Sequence, residues 1–180
     1  MNCFDRMPHP KSSLATQRLG VHLKIAACMI KTLCKMKHFI RTAYGDSTWS
    51  YTGKSNRPLQ GAVQYNGAAS PIFIANSCMI LSYLQSQVTG VYFTSAISLP
   101  VFSIVAILYM DDSDILITAT QNDESISSNV NRTQKAAASY QSAVYQTGGA
   151  VRPDKCRWYL IQFQWNKING HTLKIKKQTH

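Results

Sequence analysis

Leu108-Tyr109-Met110-Asp111-Asp112 closes a long apolar stretch, residues 99–110, with two adjacent acids. The chain has eight Asp and Glu in all, yet Asp111, Asp112 and Asp114 crowd into this one segment. Beyond them Ile115 and Ile117 alternate with Leu116 and Thr118, the two-residue period of a strand. Residues 102–110 and 114–120 therefore predict two strands joined at Asp111-Asp112-Ser113, a hairpin with its acids at the tip. Like charges about 4 Å apart repel by about 1 kcal/mol in water and about 4 kcal/mol at an effective protein dielectric. A divalent cation offsets that repulsion. Carboxylate oxygens suit Mg²⁺, and Mg²⁺ beside phosphates suits nucleotidyl transfer. Asp111 and Asp112 are thus the candidate metal ligands, while Asp114 reads as a hairpin-flank residue.

The 180 residues suffice for one domain with a core, and 45% hydrophobic against 15% charged residues describes a globular chain rather than a disordered one. The formal net charge of +11 favours an anionic partner, nucleic acid first. A basic domain with no specific ligand is the alternative on composition alone. Distribution says more: no Lys or Arg occurs between Arg57 and Arg132, so all nineteen lie in the two flanks. An uncharged middle between basic segments fits a buried core whose periphery meets a polyanion.

Five cysteines, an odd number without CxxC spacing, predict reduced thiols inside a cell rather than disulfides or a zinc site. His9, His22, His38, His171 and His180 show no ligand spacing. Asn131-Arg132-Thr133 matches a glycosylation acceptor, which without a secretion signal reads as chance. The start, Met1-Asn2-Cys3-Phe4-Asp5-Arg6, is too polar for a signal peptide, and the apolar runs 71–84 and 99–110 are too short or too interrupted to span a bilayer. The expectation is an intracellular chain, nuclear or cytoplasmic, with no membrane partner.

Ser12 and Ser13 predict the cap of a short helix stopping at Gly20. A helix over 21–36 follows, with Leu23, Ala26, Ala27, Ile30 and Cys34 as its apolar stripe. Strands are expected at 38–44 and 48–51 around a Gly45-Asp46 turn, a helix at 69–87 and a strand at 91–95. Residues 121–131 read as a polar, mobile loop before a helix that runs to Thr147 and stops at Gly148-Gly149. A strand is expected at 158–165, then a peripheral tail with Lys167, Lys174, Lys176 and Lys177. The fold class predicted is α+β: one antiparallel sheet bearing the acidic hairpin, with two or three helices packed on one face.

Three further motifs stand in order around Tyr109-Met110-Asp111-Asp112. They are Cys3-Phe4-Asp5-Arg6, then Gln64-Tyr65-Asn66-Gly67-Ala68-Ala69-Ser70-Pro71 opening a helix, then Gly148-Gly149-Ala150-Val151-Arg152-Pro153-Asp154-Lys155-Cys156. Together they resemble the palm of reverse transcriptases, the RNA-directed DNA polymerases, and specifically those of non-long-terminal-repeat retroelements. The likeness covers residues 3–165, which it implies are a palm without fingers or thumb, leaving 166–180 as a basic tail. It implies two-metal nucleotidyl transfer onto a primer 3′ end, with Mg²⁺ or Mn²⁺ ions about 4 Å apart. Asp111 would be the principal ligand and Asp112 its helper. Tyr109 and Met110 would contact the primer end or the nucleotide, and Gln64, Asn66 and Gly67 the nascent base pair. Lys155 would lie near the nucleotide phosphates, with a plain surface lysine as its alternative. The partners implied are a primed RNA or DNA template and deoxynucleotides.

Two departures qualify the likeness. The family's first palm motif carries a catalytic Asp shortly before the residue equivalent to Cys3, a position ahead of Met1. Tyr65 stands where Gly is usual, and its ring would crowd the nucleotide or template. The expectation is a polymerase fragment inactive alone, with a non-catalytic basic nucleic-acid-binding remnant as the alternative.

Overall fold

A computed structural model of the chain describes residues 6–54, 59–62, 67–109, 112–119, 124–166 and 170–178, from 162 onward by backbone alone. Contacts divide the chain into two compact units, Met1–Gly149 and Ala150–His180. Among the described residues the first unit holds four helices, α1 (His9–Arg18), α2 (Leu23–Lys35), α3 (Ala69–Gln87) and α4 (Ile126–Gln146). Its strands are β1 (His38–Thr42), β2 (Gly45–Tyr51), β3 (Val91–Thr94), β4 (Val101–Ile104), β5 (Ala106–Tyr109) and β6 (Asp112–Ile115). The second unit has a 3-10 turn at Pro153–Lys155 and strands β7 (Trp158–Asn166) and β8 (Gly170–Gln178).

The fold is mixed α+β with antiparallel pairing, as the sequence predicts. The single sheet is not found: among the described residues the strands form four separate pairs, β1–β2, β3–β4, β5–β6 and β7–β8. The apolar run shows why. Residues 101–109 change partner at Val105, β4 pairing with β3 and β5 with β6, so neither ladder gains a third strand. Val105 is 4% exposed, and its carbonyl accepts the Leu116 N–H at 2.8 Å. Gly90 leads into β3, where an added Cβ would stand 2.3 Å from the Ile104 carbonyl oxygen. The helices, expected on one face of a sheet, pack chiefly on one another: α3 lies against α1 and α4, and α1 against α2.

Helical spacing of small residues sets the central contact. On α1, His9, Ser12, Ala15 and Thr16 are buried, and on α3 Ile72, Ala75 and Asn76. Asn76 Nδ2 donates to Ser12 Oγ at 3.1 Å and to the Ile72 carbonyl at 2.8 Å, so these buried polar groups are paired. Ser12 is therefore an interface residue inside α1 rather than its cap. The helix starts at His9, behind Pro8 and with Pro10 in the first turn, where a missing N–H costs nothing. Met7, Leu33, Ala62, Ala69 and Ile72 form the core, flanked by Met29, Ile30, Met36, Ala68 and Phe73. The stripe expected on α2 is inward only in part: Ala26 is buried, but Leu23 is 60% exposed, and Leu33, outside that stripe, is buried instead.

α4 begins at Ile126, inside the segment expected to be a loop. Ser125 Oγ accepts the Ser128 N–H at 3.2 Å and supplies the cap. The helix ends as predicted. Gly148 has φ +89°, and an added Cβ there would lie 2.3 Å from the Arg6 carbonyl oxygen. In the second unit the basic segment supplies the strand β8, paired with β7 from Trp158↔Gln178 to Asn166↔Gly170. Among the described residues no helix is long and apolar enough to cross a membrane.

The β1–β2 turn lies at Ala43-Tyr44, ahead of the predicted Gly45-Asp46, because Gly45 (φ +121°) already pairs with Thr42. Beside it Arg41 grips Asp46 through Nε–Oδ1 at 2.6 Å and Nη2–Oδ2 at 2.9 Å. The guanidinium hydrogen bond holds the Asp46 carboxyl below its ordinary 3.8. A lowered folded-state value means the pair supports the hairpin above the ordinary carboxylate range and stops doing so as pH falls through the lowered value. The Asp46 side-chain carboxyl shift in NMR is expected to titrate below the ordinary carboxylate value, and Arg41→Gln is expected to move that titration upward.

Candidate metal and nucleotide site

The acidic hairpin forms as a two-stranded ladder pairing Ala106↔Ile115, Ile107↔Asp114, Leu108↔Ser113 and Tyr109↔Asp112. Asp112 and Ser113, expected in the turn, belong to β6. Met110 and Asp111 lie outside the described residues, as do Gln64 and Asn66. Alternation sorts the side chains by face. Ala106, Leu108, Ser113 and Ile115 are half-buried, while Ile107, Tyr109, Asp112 and Asp114 are exposed. Tyr109, 73% exposed, therefore stands across from Asp112 in solvent.

Asp114 is the residue whose position the sequence reading missed. With β6 starting at Asp112, the two acids at 112 and 114 occupy one face. The alternation was visible in the sequence, but the register that assigns the face was not.

One tie fixes the ladder to α4, and a second holds the segment that follows it. Ser113 hydrogen-bonds the Tyr140 hydroxyl. The Arg132 guanidinium donates to the Thr118 carbonyl at 2.6 Å and pairs with Glu124, both partners largely buried. Ser128 Oγ also donates to Glu124 Oε1, at 2.7 Å, so that carboxylate has two donors. Arg132 thus closes the connection from β6 to α4, a role that its place in the Asn131-Arg132-Thr133 triplet does not suggest.

Gly67, exposed just ahead of α3, has open space where a Cβ would be added. Lys155 sits exposed in the second unit, in the Pro153–Lys155 turn. Nearby, Arg152 holds Asp154 through Nε–Oδ1 at 3.0 Å and Nη2–Oδ2 at 2.8 Å, which lowers the Asp154 carboxyl below its ordinary range. Of the sequence-predicted site residues, the described structure brings together Tyr109 and Asp112.

As cation donors, Asp112 and Asp114 fit the hard-oxygen preference of Mg²⁺, which keeps several waters and takes one or two carboxylates beside phosphate oxygens. Among the described residues no group of three or more His, Cys, Asp or Glu gathers around one point. Comparison with protein-family models, curated proteins and solved structures finds no match to this chain.

Proposed function

We propose that the chain carries the catalytic hairpin of a reverse-transcriptase-type polymerase palm, with Asp111 and Asp112 holding Mg²⁺ or Mn²⁺ for a deoxynucleotide on a primed RNA or DNA template. The observation that carries this reading is the Tyr109↔Asp112 pair, which puts an exposed acid opposite an exposed ring at the end of an anchored ladder. The bound ion would neutralise phosphate charge and position the attacking and leaving oxygens. Tyr109 then offers its ring to the primer end or the nucleotide. Gln64, Asn66 and Gly67 would support the nascent pair. The Ser113–Tyr140 bond ties the ladder to α4, which positioning of this kind requires.

Titration of the full chain with Mn²⁺, followed by electron paramagnetic resonance, is the test. Asp111→Asn is expected to weaken binding at least tenfold, corresponding to about 1.4 kcal/mol. Equal binding by variant and parent overturns the metal site.

A second reading has its own support: a nucleic-acid-binding domain without chemistry. The β1–β2 hairpin exposes Phe39, Tyr44, Trp49 and Tyr51 beside Lys37 and the Asp46-paired Arg41. Aromatics among cations suit stacked bases and their phosphates. Salt-sensitive binding of a primer–template that is unchanged in Asp111→Asn and lost in Trp49→Ala would favour this reading.

A further inference from the structure

Away from the acidic hairpin, a thiol and an imidazole from different helices meet at the edge of a cavity. His9 opens α1 and is 4% exposed. Its Nε2 lies 2.7 Å from the Gly61 carbonyl oxygen. A carbonyl can only accept, so Nε2 carries the proton. The His9 backbone N–H donates to Gln60 Oε1 at 3.1 Å, which further fixes the residue. In the neutral ring Nδ1 then bears the lone pair, and Cys34 Sγ of α2 stands 3.1 Å from it. The thiol therefore donates its S–H to Nδ1. Nucleophile, base and orienting group form one chain: Cys34, His9, Gly61 carbonyl.

The cavity beside them measures about 510 Å³ and is lined by His9, Ser13, Lys31, Cys34 and Gln60 among others. That volume suits a small molecule. Lys31, one helical turn before Cys34, brings a cation to the same cavity. We propose that Cys34 is a nucleophilic thiol activated by His9, and that the cavity admits low-molecular-weight anionic disulfides which convert Cys34 to a mixed disulfide.

In the step, the Cys34 proton passes to His9 Nδ1 while Gly61 accepts from Nε2. The thiolate attacks one sulfur of the disulfide, a new S–S bond forms and the old one breaks. The departing thiolate takes the proton from Nδ1 and leaves as a thiol. Cys34 is oxidised and the departing sulfur reduced, so the exchange needs no other oxidant.

The test uses full-length chains that keep one cysteine, Cys34 or Cys28, with the others replaced by Ser, treated with oxidised glutathione at pH 7 and followed by mass spectrometry. Cys28 is exposed and Cys34 half-buried, so access alone favours Cys28. Cys34 is expected to react at least tenfold faster. His9→Gln is expected to erase the advantage. Lys31→Gln should slow oxidised glutathione but not the uncharged 2-hydroxyethyl disulfide. In urea the two cysteines should react alike, a comparison that holds whether or not the His9 variant folds. Slower reaction at Cys34 than at Cys28, an unchanged rate in folded His9→Gln, or an advantage that survives in urea overturns the proposal.

Discussion

Gly148→Ala is expected to lower the thermal midpoint of the chain by roughly 10 °C, from about 1 kcal/mol of left-handed backbone strain plus about 2 kcal/mol of overpacking. Gly148 ends α4 with φ +89°, and the added methyl would meet the Arg6 carbonyl oxygen at 2.3 Å and Pro8 Cδ at 2.7 Å. Neither neighbour is the end of a flexible side chain, so the backbone itself must move. The displaced segment leads into α1, whose Lys11 Nζ donates to the Gln146 carbonyl at the end of α4. Differential scanning calorimetry measures the loss. Gly149→Ala is an informative comparison, since its added methyl would meet a Val144 side-chain methyl at 2.7 Å, a group better able to yield. A Gly148→Ala midpoint within a degree or two of the parent would show that α4 does not press on residues 6–8.

Ile72→Ala is expected to cost about 3 kcal/mol by removing a core side chain and leaving a cavity the helices cannot close. Ile72 is 1% exposed and sits among Met7, Leu33, Ala62 and Ala69. Ile72→Val should cost only about 1 kcal/mol, and Ile74→Ala, at an exposed position on the same helix, within about 0.5 kcal/mol. Urea denaturation separates the three. If Ile72→Ala and Ile74→Ala cost the same, the core does not centre on this face of α3.

α3 was legible to the residue, because 69–87 holds no charged residue and no glycine, and the first glycine after it is Gly90. The acidic hairpin was legible from alternation and a two-acid break. Its register was not, since moving the start of β6 from 114 to 112 is settled by pairing across the ladder rather than by any local signal. The break at Val105 was hidden for a related reason: residues 101–109 are almost all strand formers, and nothing among them marks a change of partner. α4 starts ahead of its expected position because Ser125, one polar residue among many in 121–131, supplies the cap. The His9–Cys34 contact joins positions 25 apart, beyond any spacing rule for local ligands.

At Val105 one polypeptide strip is shared between two ladders, as a single beam rests on two trusses. Opening the acid-bearing truss breaks no ladder hydrogen bond of the other, because the two share no residue pair. A substitution that weakens one truss therefore leaves the backbone pairing of the other in place.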